Sequence, residues 1–137
     1  MKVDKEVKEK LLKNFEKWKK ELNREIDYYL DLIKDAERVE HLMHLKKRFL
    51  LSLLKYLPIH REYCYFCIMK ALRKLDTCMN CPYAKYHQEC PQKYSDYAII
   101  MRHLNMLYEL INKLYYYTGE EEYEAVKHTF EQKVCEK

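Results

Sequence analysis

The stretch LLKNFEKWKKELNREIDYYLDLIKDAERVEHLMHLKKRFLLSLLKYLP, residues 11–58, decides what kind of fold the chain builds. Leu11, Phe15, Trp18, Leu22, Ile26, Tyr29, Ile33 and Ala36 recur at intervals of three and four, with Lys and Glu among the residues between them. That is the repeat of a helix with one apolar stripe. From Val39 to Leu57 the apolar residues spread over more than one face (Leu42, Met43, Leu45, Phe49, Leu50, Leu51, Leu53, Leu54, Leu57), so this part is expected at the centre of the core. Pro58 ends it, because the residue before a proline avoids helical angles. No glycine or proline separates the two parts. Run on without a break, residues 3–57 would form a rod roughly 80 Å long, more than a compact domain of 137 residues can shelter. Two solutions satisfy the pattern. Either a sharp turn near Asp35 folds the chain back, with Asp35 as helix cap, or an amphipathic helix over residues 3–36 projects and pairs with a partner or a second copy. The projecting, dimerising helix is the preferred expectation.

The rest of the chain supports an all-α reading. One glycine, three prolines and two serines leave little material for hairpins, while Leu, Lys, Glu and Tyr dominate. The same scarcity excludes Gly-rich phosphate loops and the G-x-S-x-G elbow of serine hydrolases. A third helix is expected from about His60 to Leu75, then an irregular loop from Asp76 to Lys93 that holds Pro82 and Pro91. Ser95 and Asp96 read as the cap of a fourth helix that buries Ile99, Ile100 or Met101, Leu104, Leu107, Tyr108, Ile111 and Leu114. Gly119 closes it, and Thr118 with Glu121 forms a capping box for a last helix to about Val134. The expected architecture is a single domain over residues 1–137, a bundle of four to five helices with a long N-terminal helix and a metal-binding knuckle at residues 60–93.

No segment has the layout of a signal peptide or the length of a membrane span, so a cytoplasmic protein without membrane contact is expected. In that compartment clustered cysteines read as metal ligands before disulfides. The charged fraction of 35%, rich in Lys and Glu, would also suit a thermophile, where disulfides persist.

Cys64-x2-Cys67 and Cys78-x2-Cys81 are two pairs that can each grip one ion from a single turn of chain, giving tetrahedral thiolate coordination. Cys90 or His87 is the alternate for one member of the second pair. Four thiolates leave no open position for water, so the site reads as structural, with zinc as the expected ion and an iron–sulfur cluster as the alternative. The pattern Cys64-Tyr-Phe-Cys67, Cys78-x-x-Cys81-Pro82-Tyr83 and Cys90, followed by Ser95-Asp96-Tyr97, resembles small cysteine-containing proteins of unassigned role from phages and archaeal mobile elements, over about residues 62–100. The resemblance implies a metal-bound knuckle joined to helices in a viral or mobile-element accessory protein, and no activity.

Charge divides unevenly along the sequence. Residues 38–93 carry eleven Lys and Arg against four Asp and Glu, whereas the flanking segments are neutral or acidic. Lys46, Lys47, Arg48, Lys55, Arg73 and Lys74 are the candidate nucleic-acid contacts, with tyrosines interleaved to stack on unpaired bases. Glu37, His41 and His44 fall at helical spacing and form a weaker metal candidate. Neither H-E-x-x-H nor Glu-x-x-His occurs, which removes support for a zinc hydrolase or a di-iron oxidase. The chain is therefore expected to be no enzyme. It reads as a zinc-stabilised binding or regulatory module that contacts nucleic acid or a nucleic-acid-processing protein. The alternative is a homo-oligomeric adaptor assembled through residues 3–36, with a purely structural metal.

Overall fold

Asp4 starts the first helix. Its carboxylate accepts the amide N–H groups of Glu6 and Val7 at 3.0 and 3.2 Å, which satisfies donors that the first turn of a helix leaves open. In the computed structural model, which describes residues 1–114 apart from the side chain of Met79, this helix is α1, Lys5–Lys34. Among the described residues there follow α2 (Val39–Lys55), α3 (Tyr65–Ala71), α4 (Ala84–His87) and α5 (Asp96–Leu114), with 3-10 turns at Arg61–Tyr63 and Cys78–Asn80 and no strand. The helical fold class stands. The expected helix after Thr118, the Tyr115 to Tyr117 run and Cys135 lie outside the described residues.

The rod is broken at residues 35–38. The amides of Asp35 and Ala36 still bond back to Asp31 and Ile33, so the turn finishes α1. α2 begins at Val39, which puts Arg38 in the cap position and leaves Asp35 at the end of α1, not at the start of α2. No residue of the predicted α1 stripe is exposed, and Val7 extends it by one turn at full burial. α2 ends three residues before Pro58, and Leu57, expected in the core, is exposed.

The described residues divide into two compact units, Met1–Arg24 with Tyr56–His103, and Glu25–Lys55 with residues 104–114. In the second unit Tyr29 stacks on Phe49 with ring centroids 5.1 Å apart, and Ser52 Oγ donates to the Glu25 carboxylate at 2.7 Å. These pairings run the end of α1 antiparallel to α2. Tyr29, Leu45 and Leu51 are the buried centre of this unit.

In the first unit Val7, Ile68 and Ser95 are buried. Trp18 Nε1 donates to the carbonyl of Tyr56 at 2.5 Å, Asn14 Nδ2 to that of Glu62 at 2.8 Å, and Phe15 packs on Tyr63. α1 therefore meets the chain that follows α2 through its stripe and through polar side chains beside it.

α3 is much shorter than the helix expected from His60 to Leu75. After Ala71 the amide of Arg73 bonds to the carbonyl of Lys70 and that of Lys74 to Met69, the paired 5→2 and 6→1 bonds of a Schellman stop. Arg73 takes the left-handed place with φ 60, where glycine is usual. The loop expected to lack structure holds the 3-10 turn Cys78–Asn80 and the single helical turn α4. α5 begins at Asp96 as expected, but Ile99, Ile100 and Leu107 are exposed, and the covered stripe runs through Met101, Leu104, Tyr108 and Ile111. Apolar residues surround this helix, so the period alone did not fix its inward face.

Candidate metal centre

Two short turns present the first four cysteines. Cys64 is the residue before α3, in extended conformation, and Cys67 lies one turn into that helix. Cys78 opens the 3-10 turn and Cys81 follows it, with the Cys81 amide bonded to the Cys78 carbonyl at 3.2 Å. Each C-x2-C pair thus spans one turn of chain, the geometry that lets two sulfurs face one point. Cys90 precedes α5, and its carbonyl accepts a hydrogen bond from Ser95 Oγ at 2.9 Å. The same hydroxyl oxygen accepts the Ala98 amide at 3.1 Å, so Ser95 caps α5 while fixing the backbone of Cys90.

Among the described residues all five thiols are half-buried, free of disulfides and within the first unit. Burial pushes the Cys67 thiol up to about 12, helped by the charge of Cys64, a hydrogen bond with that thiol, and the charges of Cys90 and Cys81. Cys90 is pushed up by burial and then by Cys64, Cys81 and Cys78. Tyr83 and Tyr97 feel the same group. Burial raises both phenols, and Asp96 with Cys90, Cys64 and Cys81 adds to it at Tyr83, as Cys90 and Cys67 do at Tyr97, against Arg61. The cysteines are thus neighbours in space. Their arrangement is one of proximity, not of coordination: among the described residues no three His, Cys, Asp or Glu side chains stand where they could hold a metal ion.

Cys78 and His87 have partners of their own. Lys70 Nζ lies 3.2 Å from the Cys78 sulfur. His87 closes α4, stacks on Tyr83 with centroids 4.5 Å apart, and places Nδ1 2.5 Å from the Asp96 carboxylate. The weaker candidate of Glu37, His41 and His44 is divided, since Glu37 lies in the turn and only the two histidines are on α2.

The six candidate nucleic-acid contacts are divided between the two units. Lys46, Lys47, Arg48 and Lys55 are on α2 in the second unit, whereas Arg73 and Lys74 follow α3 in the first. Lys47 donates to the Asn112 carbonyl at 2.7 Å and Lys55 lies over the Tyr108 ring. Lys74 bonds to both Asp4 oxygens at 2.8 and 2.9 Å and to Glu6 at 2.9 Å. Sequence reasoning missed this clamp, although Asp4 three residues before Val7 at the head of the stripe is an N-cap signal.

No protein family, curated protein or solved structure matches the chain.

Proposed function

We propose that the chain is a small helical binding module whose cysteine segment is closed by a structural metal ion, zinc in preference to an iron–sulfur cluster, and whose partner is nucleic acid. The observation that carries the metal reading is the grouping of five half-buried thiols, from three stretches of one unit, in which burial first and neighbouring charge second raise Cys67 and Cys90. Thiols that resist ionising together gain nothing from being gathered in a metal-free chain. A soft dication reverses the balance by deprotonating the ligands and turning mutual repulsion into attraction. Bound there, it would join the start of α3 to the chain before α5 across a segment with little regular structure.

Cys64, Cys67, Cys81 and Cys90 are the proposed ligands. Cys90 replaces Cys78 in the set because Lys70 already holds the Cys78 sulfur. Elemental measurement on purified protein tests this: one zinc per chain is expected, lost in Cys64→Ser/Cys67→Ser and in Cys90→Ser, and kept in Cys78→Ser. Metal-free protein that melts at the same temperature with its thiols blocked sinks the reading.

The nucleic-acid reading rests on where folding collects charge. The first unit, residues 1–24 and 56–103, has sixteen Lys and Arg against nine Asp and Glu, an excess of seven. Residues 25–55 and 104–114 of the second unit have seven of each. The unit with the cysteines thus carries the entire positive balance of the described residues, which favours a polyanionic partner. An assembly of copies through residues 3–36 is the less favoured reading, because no residue of the predicted α1 stripe is exposed.

A further inference from the structure

We infer that the cysteine-bearing unit binds an unpaired nucleic-acid strand by stacking bases on Tyr86 and Tyr94, with Lys85 and Lys93 beside them on the phosphates. The inference rests on the nucleic-acid reading above and moves the contact away from the basic run of α2. Tyr86 and Tyr94 are 77% and 66% exposed, the most exposed aromatic side chains among the described residues. A single exposed tyrosine needs no explanation. Here the pattern is repeated within ten residues of chain: the ammonium of Lys85 lies 5.5 Å from the Tyr86 ring centroid, and that of Lys93 lies 5.5 Å from the Tyr94 ring centroid. Each pair offers a flat face for a base and a cation for the adjoining phosphate, the two elements that single-strand binding sites combine.

The surroundings suit that partner. Arg102 donates to the carbonyl of Lys93 at 2.5 Å, which adds a guanidinium and fixes the backbone that carries the second pair. Asp96, an acid next to this segment, is hydrogen-bonded to His87 Nδ1. Glu89 is the carboxylate between the two pairs, and it is half-buried. By contrast Lys47 and Lys55 on α2 are bound locally, in a unit with no net charge among its described residues. A duplex hides its base faces, so two exposed rings favour a single strand.

Fluorescence anisotropy with a labelled 20-nucleotide oligothymidylate, and with a duplex of equal length, distinguishes the outcomes for the full chain. The single strand is expected to bind more tightly. Tyr86→Ala/Tyr94→Ala should weaken it by about 10- to 100-fold for each stacked base lost, and Tyr86→Phe/Tyr94→Phe should retain it because the ring carries the contact. Lys85→Ala/Lys93→Ala should reduce the slope of log affinity against log salt by roughly 1.4, two phosphate contacts on a single strand. Lys46→Ala/Lys47→Ala/Arg48→Ala should leave affinity within about twofold. Tyrosine variants that bind as the parent does, or equal affinity for duplex, overturn the stacking inference while leaving a nucleic-acid partner in place. No binding to either probe at low salt overturns that partner as well.

Discussion

Ser95 has one hydroxyl and two obligations. It is the fully buried polar residue of the described chain, its oxygen accepting from Ala98 and its proton going to Cys90. Removing the hydroxyl exposes the first turn of α5 and orphans a carbonyl beside a proposed ligand. Ser95→Ala is therefore expected to destabilise by about 2 kcal/mol, combining a lost cap with an unpaired buried acceptor. Denaturant unfolding reads this as a lower midpoint with unchanged slope. A change below a few tenths would mean that water or another donor replaces the serine. The cap itself was legible in Ser95-Asp96 ahead of an apolar run. Its second bond was not, because nothing in the spacing from Cys90 says that the intervening chain turns back far enough for the two to meet.

Elements show the same division between what the sequence carries and what folding adds. α1 is written in seven periodic residues from Leu11 to Ile33, and the structure leaves none of them exposed. The end of α3 is written nowhere, since a Schellman stop is normally announced by glycine and here Arg73 supplies the left-handed residue. That stop sends Lys74 back to the cap of α1, where Asp4 also donates its amide to the Tyr65 hydroxyl at 2.7 Å. The clamp has a pH signature. Its hydrogen bond to Lys74 holds the Asp4 carboxyl below its ordinary 3.8, and the bonds to Asp4 and Glu6 hold Lys74 above 10.5. The depressed acid contributes stability that is present above about pH 4 and lost as pH falls through its folded value. The raised lysine contributes stability that is present up to about pH 10.5 and lost as pH rises beyond it. Lys74→Ala should flatten the melting temperature against pH at both ends, with a small effect at neutrality because the partners are accessible to water. Parallel curves for the two proteins would rule the clamp out as a source of stability.

At the scale of the molecule, the fold class and the cysteine segment were legible because composition and C-x2-C spacing are local properties. The division of charge between the two units was not. Counted along the sequence, the positive excess lies between residues 38 and 93. Folding sorts those residues differently, setting the α2 cations among the carboxylates of residues 25–40 and joining the cysteine segment to the lysine-rich start of α1. Cysteine spacing also gave no sign that Lys70, eight residues before Cys78, meets its sulfur, the contact on which the proposed choice of Cys90 over Cys78 rests. If a metal closes the cysteine segment, its removal should act on one unit first. With a chelator, amide exchange is expected to rise over residues 64–98 while amides of α2 around Leu45 and Leu51 keep their protection. A uniform rise through both units would show that the metal, if bound, supports the chain as a whole.

Arg73 with φ 60 and Gln88 with φ 64 and ψ 162 turn the chain in conformations that glycine adopts freely. Each native turn is strained by roughly 1–3 kcal/mol for want of a glycine. The denatured chain feels the opposite effect. A residue with a Cβ has fewer backbone states to lose than glycine, so these positions narrow the unfolded ensemble and offset part of that strain, by about 0.4–1 kcal/mol for each glycine avoided. With one glycine in 137 residues, the whole polypeptide follows the rule that these two turns follow at a visible strain. Unfolding therefore returns less backbone freedom to this chain than to one rich in glycine.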